Sequence, residues 1–152
     1  MPIQYWLLKS EPKSYSIDDL LREKKTFWDG VRNYQARNFL RDKIKKGDDV
    51  FFYHSNAEPS GIAGVAEVIR AGYPEPSQFD SKSHYYDPKS TPEKPIWFTV
   101  EIAFRQKFSE IIPLEALRKI KTLHDMPVLQ RGQRLSVQPV AEKHWKAIQD
   151  LV

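Results

Sequence analysis

Cysteine is absent from this chain, which removes disulfides, thiol nucleophiles and cysteine-ligated zinc as sources of stability or chemistry. The absence fits a reducing compartment. No apolar run is long enough to span a bilayer, and Met1-Pro2-Ile3-Gln4 has neither the basic start nor the apolar stretch of a secretory signal. A soluble cytoplasmic protein without a membrane partner is expected, nuclear if its source is eukaryotic. No glycine-rich phosphate loop is present. The four histidines, His54, His84, His124 and His144, are dispersed without the paired spacing that puts two imidazoles on one ion, so neither metal nor cofactor is expected.

Catalytic patterns are missing too. Ser55, Ser60 and Ser136 lack the Gly-x-Ser-x-Gly elbow, and His54, the strand neighbour of Ser55, would point to the opposite face. Asp18 and Asp19 are adjacent, so on a helix they diverge, and capping explains them more simply than acid–base chemistry. No catalytic residues are assigned and no enzyme is expected. Against 20 acidic residues stand 24 lysines and arginines, giving a net charge of +4 and a pI near 9.2. That excess favours a polyanion without identifying one.

What is present fits one domain over residues 1–152, with helical segments alternating with short apolar runs. Tyr5-Trp6-Leu7-Leu8 reads as a buried strand ending before Glu11-Pro12. Ser16 caps a short helix over Ile17 to Arg22, and Asn33 caps another running to Ile44 and stopping near Gly47. Val50 to His54 and Gly61 to Ile69 read as strands, with Gly64 marking a bulge or close backbone approach. Ile96 to Phe104 has the period-two alternation of a half-buried strand. Pro113 opens a helix over Leu114 to Ile120, and Ala141 to Leu151 closes the chain with Trp145 and Ile148 inward. Ala71 to Pro95 holds five of the eleven prolines and several aromatics, so it reads as a long loop. Short strands with helices at the rim predict a small barrel-like α+β domain rather than a doubly wound sheet.

The stretch Trp28 to Leu40 crowds an indole, an Asp-Gly turn, polar side chains and cations into one helix entrance. Two readings are open: a core aromatic beside a solvated charged face, or one wall of a pocket for a flat polar ligand. Trp28, Tyr34, Tyr53, Tyr85, Tyr86 and Trp97 offer stacking surfaces, and Ser10, Asn33, His54, Asp87 and Ser136 offer polar tips. Stacking a nucleobase on one ring contributes about 1–3 kcal/mol. A base enters a closed pocket only from a single strand, or after rotation out of a duplex at about a few kcal/mol.

The chain resembles the EVE domain family along nearly its whole length. The resemblance is carried by Tyr5 to Pro12, Trp28 to Asn38, Phe52-Tyr53-His54-Ser55, Gly61 to Val65, Tyr86-Asp87-Pro88 and Arg134 to Pro139. It implies a PUA-like mixed β-barrel with flanking helices, and a pocket for modified bases in nucleic acid, especially modified cytosines such as 5-methylcytosine. Lys13-Ser14-Tyr15-Ser16 with Asp18-Asp19 is also similar to a run in YTH domains, PUA-like relatives that hold methylated adenine in RNA. Asp29-Gly30 departs from their pattern, so adenine specificity does not carry over. The resemblance implies Trp28 and Tyr86 as ring contacts and Ser10, Asn33, His54, Ser55 and Asp87 as edge readers. It also implies Ser136 and Val137 as wall and Arg32, Arg37 and Arg134 as phosphate ligands. Trp6, Trp97 and Trp145 are left to the core.

The expectation is a monomeric, non-catalytic reader of a modified base in DNA or RNA. A nucleotide-processing or RNA-modifying enzyme using the same pocket is the alternative, with His54 and Asp87 as its acid and base. A third reading is a protein-interaction module using the Ala71 to Pro95 loop.

Overall fold

The computed structural model describes residues 2–132 and 134–152. Strand β1 (Tyr5–Ser10) pairs in parallel with β3 (Asp49–His54), Tyr5 opposite Asp49 and Ser10 opposite His54. Between them run helix α1 (Ile17–Glu23), β2 (Lys25–Phe27) and helix α2 (Tyr34–Asn38). Strands β4 (Gly61–Pro74) and β5 (Phe98–Pro113) form a long antiparallel pair, followed by helix α3 (Leu114–Arg118), β6 (Val137–Val140) and helix α4 (Glu142–Gln149). The sheet order is β2-β5-β4-β3-β1-β6.

Side chains alternate across a strand, and here both faces are buried, so β1 and β3 read as continuous apolar runs. Trp6, Leu8, Val50 and Phe52 point to one core with Leu20, Trp28 and Leu40. Leu7, Phe51 and Tyr53 point to another with Leu117, Leu123 and Trp145. The sheet therefore separates two apolar layers.

The expected α+β class is observed, and the expected closure is not. Among the described residues β2 and β6 remain unpaired edges, so the sheet is open rather than a barrel. Bulges interrupt the β4–β5 register at four points, where extra residues bend strands and increase their twist. Gly64 lies at one of them, and a Cβ there would collide with the Gln106 carbonyl.

Helix starts follow local chemistry. Ser16 accepts from the Asp19 amide at 3.1 Å while the Asp19 carboxylate accepts from the Ser16 amide at 2.9 Å, a complete capping box. Asn33 Oδ1 accepts from the Ala36 amide at 2.9 Å. The single helix expected to Ile44 is instead α2 followed by a π turn over Phe39–Lys43, closed by the Ile44 amide on the Phe39 carbonyl. Helix α3 stops at Arg118, short of Ile120. Strands β4 and β5 run well past Ile69 and Phe104, so the proline-rich loop begins only after Pro74.

Candidate functional site

Parallel strands β1 and β3 end side by side, where the Ser55 amide donates to the Ser10 carbonyl at 2.9 Å. The loops leaving them diverge. The space between is walled by the segment from Trp28 to Asn33 and by the approach to β6, leaving a cleft of about 840 Å³. That is within the range of small-ligand sites.

Trp28 is fixed from several sides. Its amide donates to the Val100 carbonyl at 2.9 Å, its carbonyl accepts from the Thr99 hydroxyl, and its ring meets Phe52 edge-on at 5.4 Å and 89°. Only 7% of it is exposed, and it borders the cleft. Pocket wall and core aromatic are thus one residue.

The turn after Trp28 is locked by a buried carboxylate. Glu75, fully buried, accepts from the Gly30 amide at 2.8 Å and from Arg32 Nη1 and Nη2 at 2.9 and 2.7 Å. Gly30 has φ of +84°, and a Cβ there would fall 2.5 Å from the Tyr85 ring, so only glycine fits both the conformation and the contact. Arg32 also donates to the Tyr85 carbonyl. Removing one partner of such a buried pair costs about 3–5 kcal/mol. Arg32, expected on phosphate, is instead a strut that holds the cleft wall.

The remaining expected residues divide. Ser10, Trp28, Asn33, Ser55, Ser136 and Arg134 line the cleft, and so does Arg32. Ser10 Oγ donates to the Tyr15 carbonyl at 2.6 Å, whereas the Asn33 side-chain amide NH₂ has no partner among the described residues once Oδ1 is used in the cap. Arg134 is exposed and has no ion-pair partner among the described residues.

The others lie elsewhere. His54 is buried, and its Nε2 accepts from the Ile17 amide at 3.1 Å, which satisfies an otherwise orphaned N–H at the start of α1. Burial keeps its imidazole below the ordinary value and therefore neutral, with Asp18 opposing the shift. Val137 is fully buried in the core behind the wall. Tyr53 is buried on the opposite face of the sheet. Tyr34 lies on the surface, stacked on Trp97 at 5.1 Å. Arg37 covers the Tyr34 ring and donates to the Ile96 carbonyl at 2.7 Å. Asp87 accepts from Trp97 Nε1 at 2.8 Å, a bond that holds its carboxyl below the usual range. Tyr86 is exposed outside the cleft, and its neighbour Tyr85 supplies the lining ring.

Sequence reasoning passed over Lys9 and Asp29 as cleft residues, and Tyr85, named there among the stacking surfaces, lines the cleft in place of Tyr86. Asp29 accepts from the Ser77 hydroxyl at 3.1 Å, and burial foremost pushes its carboxyl upward. Lys9, half-buried above the Tyr53 ring at 5.8 Å, has its ammonium pushed downward by burial. The signal for Asp29 was its place in the Asp-Gly turn. For Lys9 there was none.

Residues 4–151 match the family described as EVE domain. Human thymocyte nuclear protein 1 is 39% identical over 165 residues, covering 97% of this chain and 73% of its own length. A Pseudomonas syringae protein of known structure superposes with a TM-score of 0.92 at 48% identity, over 97% of this chain and 98% of that one. Human THYN1 in complex with 5-methylcytosine-containing DNA superposes with a TM-score of 0.88 at 39% identity, over 97% and 96% of the two chains.

Proposed function

The chain belongs to the EVE domain family, and from that premise we propose that its cleft receives a modified nucleobase, 5-methylcytosine foremost, presented by a DNA strand. The observation that carries this reading is the meeting of a fixed indole with polar groups around one cleft of suitable size. The solved complex of human THYN1 with 5-methylcytosine-containing DNA supports it.

The chemistry matches a cytosine edge. Its exocyclic amine needs an acceptor and its ring nitrogen and carbonyl need donors; Asp29 supplies the first and the Asn33 amide NH₂ the second. A 5-methyl group adds apolar area, for which Trp28 and Val31 provide the contact. Stacking on Trp28 and Tyr85, at about 1–3 kcal/mol per ring, offsets much of the few kcal/mol needed to extrude a paired base. The reading is non-catalytic. His54 and Asp87, the acid and base of the enzymatic alternative, are bonded to Ile17 and Trp97 rather than to each other.

Titration of matched oligonucleotides with and without one 5-methylcytosine, followed by fluorescence anisotropy, tests the proposal. The protein should prefer the modified strand, and Trp28→Ala should abolish that preference while the domain stays folded. Equal binding of both strands by the unaltered protein would sink the idea.

A further inference from the structure

Beside the cleft runs a second groove of about 680 Å³, and the two share Lys9 and Arg134. Its lining includes Arg118 and Arg131 as well, and no aspartate or glutamate. Some cations elsewhere are matched: Arg22, Arg32, Arg41, Arg105, Lys107, Lys143 and Lys146 each meet a carboxylate. Among the described residues none of the four groove cations does. On a chain with a net charge of only +4, this is a local concentration of unmatched positive charge.

We infer that this groove is a phosphodiester track, which holds the backbone of the strand whose base enters the adjoining cleft through Lys9, Arg118, Arg131 and Arg134. The inference rests on the base-binding reading above and extends it to the flanking nucleotides. The half-buried Lys9 ammonium is partly shielded from solvent and has no carboxylate partner among the described residues; a phosphate oxygen supplies one. Arg118, Arg131 and Arg134 are exposed, with guanidinium groups suited to bidentate contact with phosphate. The sharing of Lys9 and Arg134 by the two cavities is what selects phosphate over another anion, because a nucleotide carries its charge directly beside its base. Besides the cations the lining is Tyr53, Leu114, Val128, Leu129, Gln130 and Gly132, with Gln130 and the Tyr53 hydroxyl as its uncharged polar side-chain groups. Contacts to phosphate add affinity without sequence preference, and selectivity stays in the cleft.

The test uses the full chain with Arg118→Glu and Arg131→Glu combined, since neither residue lines the cleft and both are exposed. The milder Arg118→Gln, Arg131→Gln pair serves as a second variant. Binding of a 5-methylcytosine oligonucleotide is measured across a salt series, and binding of free 5-methylcytidine by thermal shift. The expected result is a slope of log affinity against log salt that flattens by about 0.7–0.9 per lost contact, with nucleoside binding unchanged. An unchanged slope in both variants overturns the track, as does equally tight, equally salt-dependent binding of polyglutamate. A protein that shows no preference for the modified base yet loses its salt slope in the variants refutes the base reading and leaves the track standing.

Discussion

Trp28 and Trp145 have the same exposure, 7%, and lie in the two cores on opposite faces of one sheet. Their surroundings differ. Trp145 stacks on two aromatic rings, Phe51 at 3.8 Å and 21° and Tyr5 at 4.8 Å and 27°. Trp28 meets Phe52 only by an edge and borders a cleft. Fractional burial alone cannot distinguish them, because a small opening on a large ring changes the percentage little. Their ring contacts do distinguish them: Trp145 stacks on two aromatic rings, whereas Trp28 makes one edge contact and borders the cleft of the proposed function.

The comparison breaks most visibly under truncation. Trp145→Ala should cost about 3–5 kcal/mol of stability in urea unfolding, the usual range for a buried indole, and leave any base preference intact in the folded fraction. Trp28→Ala should fall toward the lower end of that range, since part of its surroundings is already open. Equal losses of stability, or a loss of preference in Trp145→Ala, would erase the distinction.

A smaller effect sharpens the picture behind the cleft. Burial holds the His54 imidazole below its ordinary 6.5, so the unfolded chain takes up a proton there that the native chain resists. The associated stability is present above about pH 6.5 and is lost as pH falls toward the lower, native value. His54→Gln should flatten this dependence in urea midpoints compared between about pH 7.5 and about pH 5.5. An equal slope in both proteins would show that His54 does not govern this window. The smallest effect concerns the surface. Tyr34→Ala should lower stability by about 0.5–1.5 kcal/mol through its lost stacking on Trp97, with oligonucleotide binding unchanged in the same anisotropy titration.

Local features were legible in the sequence for local reasons. The Ser16 and Asn33 caps bond atoms three residues away, and the Asp29-Gly30 turn needs only the freedom of glycine. The strand ends were less legible. Arg105-Gln106-Lys107 breaks the apolar alternation and suggests that β5 stops at Phe104, yet the strand continues because β4 pairs with it as far as Pro113, with Arg105 meeting Glu67 across the sheet at 3.2 Å. The site was legible in part. The family pattern led to Trp28, Asn33, Ser55 and Ser136, all of which line the cleft. It could not separate Tyr85 from Tyr86, since in an irregular loop adjacent side chains follow no fixed alternation. Nor could it find the role of Arg32, whose partner Glu75 is 43 residues away.

Taken by itself, the sequence determined the α+β class, the caps, the turn beside the indole and the absence of thiol chemistry, because each depends on residue type or on neighbours within a few positions. Tertiary structure alone decided which cations are free. Glu75 engages Arg32 and the Ile96 carbonyl engages Arg37, whereas Lys9 and Arg134 both line the cleft and neither forms an ion pair among the described residues. A charge's availability depends on what the fold brings within a few ångströms, and those partners are remote in the chain.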